Sequence, residues 1–195
     1  MASFEAAWRQ FYPTVPPLSY RMRDAEGLNW VRFHYLPESK RYAENDAETA
    51  ESMRRLADVG AAVFSVDEEC WIVRCESLHA GGSAQRIRNA AEYVALHGSQ
   101  PFSSAGTYDD FENDERWKIH ASLSNWSFER DAPLLGAIAD DLADGKQTTL
   151  WFSTSSGRVY APYDGGLDIF APSANWIASL KAKFQMWLSP EPNGL

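Results

Sequence analysis

The chain has 195 residues, of which 45% are hydrophobic and 23% are charged, a balance that fits one folded domain and excludes a disordered protein. Lysine and arginine total 18 against 27 aspartates and glutamates, so the net charge is -9 at pH 7. This excess of acid argues against binding to nucleic acid or to an anionic membrane surface, since both require a cationic face. No apolar run reaches the roughly 18 residues of a membrane span, and the N-terminus lacks the pattern of a signal peptide, so we expect a cytoplasmic protein.

The first predicted elements are a short helix and a hairpin. Ser3 is a candidate N-cap for a helix with an aromatic stripe. Residues 18–23 and 30–35 then alternate apolar and polar side chains, which predicts two antiparallel strands with one largely basic face. The stripe of the helix consists of Phe4, Trp8 and Phe11.

The next predicted elements are a long helix, two strands and a second helix. Asn45, with Glu48 three residues later, predicts a capped helix from about Asp46 to Val59 or a few residues beyond. Residues 63–66 and 70–75 resemble strands, and a helix over 83–98 follows a glycine pair.

The second half of the chain predicts further strands and two helices. Residues 117–123 alternate as a strand, a helix opens at Asp131 and ends at Gly145, and an amphipathic helix spans 173–188. Short hairpins separated by helices predict an α+β fold with a mainly antiparallel sheet and four to six helices, in a single domain over 1–195. Between the two helices lies a predicted three-stranded meander over 148–153, 158–163 and 167–170.

Catalytic and cofactor motifs are not found in the sequence. No phosphate-binding loop or Gly-x-Ser-x-Gly elbow occurs, and none of the four histidines sits in a recognisable motif. Asp164 and Asp168 flank a tight turn, but crowded surface carboxylates are usually solvated, so we predict neither a metal nor a cofactor. Cys70 and Cys75, five apart in a strand, point to opposite faces and are expected to be buried free thiols.

One group of basic residues, which we call the basic cluster, stands out in a chain whose net charge is negative. On the predicted hairpin its members share one face, and the segment after the hairpin adds two more cations and a tyrosine. Such a patch is a candidate site for an anion or an acidic partner, although internal acids or water could equally neutralise it. The candidate residues are Arg21, Arg23, Arg32, His34, Lys40, Arg41 and Tyr42.

An acidic segment lies in a stretch over 98–116 that we predict to be a long, loose loop. Aromatic rings interleaved with carboxylates suit the cationic cleft of a partner, because the charges steer association and the rings supply buried area. The candidate partner-binding residues are Tyr108, Asp109, Asp110, Phe111, Glu112, Asp114 and Glu115.

Three segments together carry a resemblance to a known family. They are "LPESKRYA" at 36–43, "YAPYDGGLDIF" at 160–170 and "WLSPEPNGL" at 187–195. The chain resembles, nearly end to end, a family of bacterial proteins of unknown function that combine an aromatic opening helix with a DGG-type meander and a closing helix. The resemblance implies a bacterial, cytoplasmic setting and no activity that can be assigned to individual residues.

These observations leave several hypotheses for function. The first is a non-catalytic binding protein, most concretely an immunity-type inhibitor of a basic toxin or enzyme, by analogy with small acidic proteins found beside toxins. The second is an enzyme or small-molecule binder that uses the basic cluster to hold an anion. The third is a scaffold role. The oligomeric state is left open by the sequence.

Overall fold

A seven-stranded antiparallel sheet organises the computed structural model, which describes residues 3–77, 103–110, 113, 115–140 and 147–189. The strand order is β1-β7-β6-β5-β2-β4-β3, and every neighbouring pair is antiparallel. The predicted α+β class is therefore confirmed. The strands are β1 Asn29–His34, β2 Glu69–Ser77, β3 Ser103–Asp110, β4 Glu115–Asn125, β5 Gln147–Ser153, β6 Val159–Tyr163 and β7 Gly166–Ala171.

Helices pack on both faces of the sheet. Three of them cover one face and two N-terminal ones cover the other, as the membership of two separate hydrophobic cores shows. No helix in these parts of the chain is both long and apolar enough to cross a membrane. The helices are α1 Phe4–Phe11, α2 Ser19–Asp24, α3 Asp46–Val63, α4 Phe128–Ala139 and α5 Ala174–Lys183, with 3-10 turns at Pro37–Ser39 and Gln185–Trp187.

The first core lies between the sheet and helices α3, α4 and α5. Trp126, Trp151 and Tyr160 form its aromatic centre, with the Trp126 and Tyr160 ring centroids 5.3 Å apart. Two of the polar groups at this centre have partners: the Tyr160 hydroxyl donates to the Leu56 carbonyl at 3.0 Å, and the Trp151 indole donates to Asp131 at 2.9 Å. Hydrogen bonds of this kind allow large amphipathic rings to be buried without an unsatisfied group.

The second core lies under α1 and α2 on the opposite face. Trp8 contacts Phe152 with ring centroids 5.0 Å apart, and Phe4 packs against Phe152 and Trp71. The Ser3 side chain caps α1 by accepting from the Ala6 amide at 3.3 Å, as the sequence predicted. Because adjacent strand residues point to opposite faces, Trp151 belongs to the first core and Phe152 to the second.

The predicted N-terminal hairpin is wrong. Residues 19–24 form helix α2, and β1 pairs with β7 from the other end of the chain. Leu18 and Met22 are both fully buried at a spacing of four, and the Met22 amide donates to the Leu18 carbonyl at 2.9 Å. Alternation over so few residues also fits a helical period, and packing against the second core decides the conformation.

Two further strand and loop predictions need correction. Val63 ends helix α3 and the chain turns over 64–68, so there is no strand over 63–66. The loop predicted over 98–116 is wrong for 103–110 and for 115–116, which form β3 and the start of β4. Across this pair of strands Arg116 lies opposite Asp109, and their Nε and Oδ1 atoms are 3.1 Å apart, so one of the acidic side chains has an opposite charge as its cross-strand neighbour. The helix predicted over 83–98 falls outside the described residues.

The other helices and strands predicted within the described residues are present, some of them with shifted boundaries. Asn45 caps α3 by accepting from the Glu48 amide at 3.0 Å, and the helix runs to Val63. Strands β5, β6 and β7 form the predicted meander. Helix α4 begins at Phe128, three residues earlier than predicted, and the last helix ends at Lys183 before a 3-10 turn.

Cys70 and Cys75 lie in different cores, on opposite faces of β2, which confirms the prediction from their spacing. Burial raises the pKa of both thiols to about 12, so neither forms the reactive thiolate near neutral pH. We expect a disulfide reagent at pH 8 to modify neither thiol of the folded protein within minutes and both after unfolding in guanidinium. Rapid modification of the folded protein would contradict this packing.

Candidate functional site

The segment "LPESKRYA" packs directly against the "YDGG" turn between β6 and β7. The Arg41 Nε atom lies 3.0 Å from the Asp164 carboxylate, and the Tyr42 hydroxyl donates to the same carboxylate at 2.8 Å. Gly165 has a φ of 92°, and a Cβ at this position would lie 2.8 Å from the Arg41 Cγ atom. The turn therefore requires glycine both for its backbone conformation and for the approach of Arg41.

Two arginines converge on one buried carboxylate at Asp168. Arg32 is its cross-strand partner on β1 and binds it through Nε at 2.8 Å and Nη2 at 3.1 Å. Arg23 from helix α2 reaches the second oxygen at 2.8 Å. Burial lowers the pKa of Arg32, but hydrogen bonding to Asp168 and its charge outweigh burial and raise that pKa. This triad fixes α2 to the β1–β7 pair.

The other cations of the basic cluster also have partners within the chain. The Arg21 Nη2 atom lies 3.5 Å from Asp110, and Lys40 binds Glu48 at 2.8 Å and Glu44 at 3.1 Å. Together with Arg23, Arg32 and Arg41, these contacts mean that every arginine and lysine in the candidate set faces a carboxylate of the same protein. These cations therefore do not form a free cationic patch. This agrees with the alternative stated above, that acids of the same chain neutralise the basic cluster.

His34 lies at the centre of this region without a carboxylate partner. Its ring is half-buried, and its Nε2 atom is buried with no hydrogen-bond partner among the described residues. Burial lowers the pKa of His34, the charge of Arg32 lowers it further, and a hydrogen bond to the Gly165 backbone acts in the opposite direction. The imidazole is therefore neutral at physiological pH, which suits a core residue better than an anion ligand.

The acidic segment is docked on the second core. Asp110 is buried and accepts from the Tyr20 hydroxyl at 2.6 Å and from the Asn113 amide at 3.0 Å. Tyr108 is half-buried and packs against the same core, and Glu115 begins β4. Three of the candidate partner-binding residues lie outside the described residues: Phe111, Glu112 and Asp114.

We expect replacement of Asp110 by asparagine to lower the free energy of unfolding by about 1–3 kcal/mol, because it removes the charge that Tyr20 and Arg21 bind. Burial raises the pKa of Asp110, but its hydrogen bonds and Arg21 lower it overall. Its stabilisation is accordingly present above the ordinary pKa and is lost as the pH falls through the lowered value. Urea unfolding at pH 7 and at pH 3 measures both effects.

Asp109 provides the matched control for this experiment. Its side chain is 49% exposed and its partner Arg116 is 59% exposed, so Asp109→Asn should change stability by less than about 0.5 kcal/mol. An equal decrease in the free energy of unfolding for the two variants would show that the contacts of Asp110 with Tyr20 and Arg21 do not stabilise the fold.

A surface groove between α1 and the ends of β2 and β4 was not predicted from the sequence. We name it the α1–β2 groove; it has a volume of about 440 Å³. The half-buried Trp71 and Leu123 form one side, and the exposed Glu69 lies at its edge. The small side chains of Ala6 and Ala7 on α1 leave the groove open. These two alanines, beside the aromatic stripe of the same helix, were the one feature of the sequence that could have indicated a groove. The lining residues are Ala6, Ala7, Gln10, Glu69, Trp71, Leu123 and Thr154.

Catalytic arrangements are not found within the described ranges. There, the Nε2 atom of His34 is buried without a hydrogen-bond partner, and the Nε2 atom of His120 lies 3.6 Å from the Glu76 carboxylate. No group of three or more His, Cys, Asp or Glu side chains in those ranges could hold a metal ion.

Comparison with known proteins places the chain in a family but supplies no activity. No curated protein and no solved structure matches it. One family model matches residues 18–192, which include the Asp168 triad, the Asp164 turn and all but the first helix of the fold. The chain therefore belongs to the family described as a domain of unknown function, DUF3885.

Proposed function

We propose that this protein is a non-catalytic binding protein for a basic protein partner, most concretely an immunity-type inhibitor of a basic toxin or enzyme. One observation carries the proposal: the arginines and the lysine of the basic cluster are bound by internal carboxylates, while other exposed carboxylates have no ion pair among the described residues. Exposed acids such as Glu26, Asp67 and Glu129 then contribute to the negative field around the molecule.

The charge balance supports the same conclusion. A net charge of -9 attracts a cationic partner over about a Debye length and raises the association rate, most strongly at low salt. We place this role in the bacterial cytoplasm and assign it to a single domain. The alternative is an enzyme or small-molecule binder that holds an anion with Arg32, His34, Lys40, Arg41 and Tyr42. It has less support, since Arg32, Lys40 and Arg41 already bind carboxylates.

The proposal is tested by identifying a partner and measuring its association kinetics. The tagged protein is used to capture proteins from its native host, and the captured species are identified by mass spectrometry. We expect a basic protein whose association rate falls several-fold at low salt when Glu26, Asp67 and Glu129 are neutralised together, with the difference disappearing near 0.5 M salt.

A control variant tests the sign of the charge effect. Lys181 and Lys183 are exposed on α5, and replacing both with glutamine makes the protein more acidic. Its association rate should stay equal or rise. Capture of no basic protein, or equal rates for all variants at low salt, would refute the proposed function.

A further inference from the structure

We infer that the α1–β2 groove binds an arginine side chain presented by the basic partner, with the guanidinium stacked on Trp71 and paired with Glu69. This inference rests on the proposed function and adds to it the site and the side chain that is recognised.

The shape of the groove suits a long side chain with a flat charged end. Ala6 and Ala7 line its helical side without filling it, and Leu123 supplies an apolar surface for the methylene stem. The volume of about 440 Å³ lies within the range of about 300–1,000 Å³ that ligand pockets occupy. Phe4 packs edge-on against Trp71 at 5.8 Å, which holds the indole in place before binding.

The charge of the groove selects a cation. Glu69 is the one charged residue among the seven that line it, and its side chain is exposed. Thr154 donates to the Oε1 atom of Glu69 at 3.4 Å, while the Oε2 atom has no hydrogen-bond partner in the described chain. A guanidinium can pair with this carboxylate and stack on an aromatic ring at the same time, whereas an ammonium is a compact, strongly hydrated charge.

The turn that precedes Glu69 carries an exposed apolar and an exposed acidic side chain. Val66 is 89% exposed, which is unusual for a branched apolar side chain, and Asp67 beside it is exposed with a φ of 58°. Since these residues lie two and three positions before Glu69, they offer an apolar and an acidic contact to the residues that flank the bound arginine. The complementary partner segment is an exposed arginine next to an apolar residue.

The test observes Trp71 directly by NMR. The indole N–H signals of the eight tryptophans are recorded, and Trp71 is assigned with a Trp71→Phe variant. The protein is titrated to about 5 mM with acetyl-Gly-Arg-Gly-amide and, as a neutral control, with the same peptide carrying citrulline. We expect the Trp71 signal to shift with the arginine peptide and to stay in place with the citrulline peptide.

Two variants distinguish the groove from general acidity. Glu69→Gln should weaken binding of the arginine peptide about fivefold, as loss of one partly exposed ion pair implies. Asp46→Asn should leave it unchanged, because Asp46 is exposed on α3, which packs on the opposite face of the sheet. An unmoved Trp71 signal, an equal shift with citrulline, or equal effects of the two variants would overturn the inference.

The same variants separate this inference from the proposed function. If a basic partner binds with salt-dependent kinetics but Glu69→Gln and Trp71→Ala leave its affinity unchanged, the groove inference fails and the proposed function stands. If no basic partner is captured, the proposed function fails, and a specific shift of Trp71 by the arginine peptide still supports the groove as an arginine site.

Discussion

Asp168→Asn is expected to lower the free energy of unfolding by about 3–5 kcal/mol, the range typical of breaking a buried ion pair. The Asp168 side chain is fully buried, and it accepts from Arg32, whose side chain is 9% exposed, and from Arg23, which is 24% exposed. Neutralising the carboxylate leaves two guanidinium groups close together without a counter-charge. The loss also removes the ionic link between Arg23 on α2 and Asp168 on β7.

Asp164→Asn is the matched control, four residues earlier, on the turn that leads into β7. Its carboxylate is 25% exposed and pairs with Arg41, which is 61% exposed, so we expect a loss below about 1 kcal/mol. Urea unfolding followed by circular dichroism gives both values. A loss for Asp168→Asn no larger than that for Asp164→Asn would show that the triad contributes little to stability.

Local signals in the sequence predicted the elements that depend on local contacts. Ser3 and Asn45 cap their helices as expected, since a cap needs only a side-chain oxygen and an amide three residues away. The meander of β5, β6 and β7 was also predictable, because its turns contain glycines at positive φ, Gly157 and Gly165. Such features require no knowledge of distant parts of the chain.

The N-terminal segment was mispredicted because its conformation depends on distant partners. Arg23 binds a carboxylate 145 positions away, and β1 pairs with β7 across a similar separation. Seen alone, Leu18, Tyr20 and Met22 alternate as in a strand. The second core accepts Leu18 and Met22 as one face of a helix, and tertiary packing overrides the local pattern.

The sequence identified which residues belong to the candidate sites but not how those residues contact one another in the folded protein. The sequence identified the cations around Arg32 and the acids around Asp110, yet it could not show that each group binds an opposite charge in the same molecule. The α1–β2 groove was missed entirely, because Ala6 and Trp71 come together only when α1 crosses the sheet. Whether charges are free or paired depends on contacts between residues far apart in the chain.

Phe184→Ala is expected to cost about 3–5 kcal/mol of unfolding free energy, since it removes a large buried ring and leaves a cavity. Phe184 is 8% exposed and is the C-cap residue that follows α5, with its ring stacked on Trp187 at 4.6 Å and edge-on to Phe33 at 5.6 Å. Leu188 forms a β-bridge to Phe33, so the same ring anchors the segment that covers the outer edge of β1.

Met186→Ala provides the control for this variant, because Met186 is 84% exposed two residues further along and should change stability by less than about 0.5 kcal/mol. Chemical unfolding gives the two free energies, and hydrogen exchange reports on the backbone of β1. We expect Phe184→Ala to increase hydrogen exchange at the edge of β1 as well as to lower the free energy of unfolding. The Phe184 ring packs in the core and also holds the segment around Leu188 that lies along this edge. A near-wild-type unfolding free energy would mean that the closing segment is held by Leu180 and Ile177 alone, and that the edge of β1 depends on contacts other than the stacked rings.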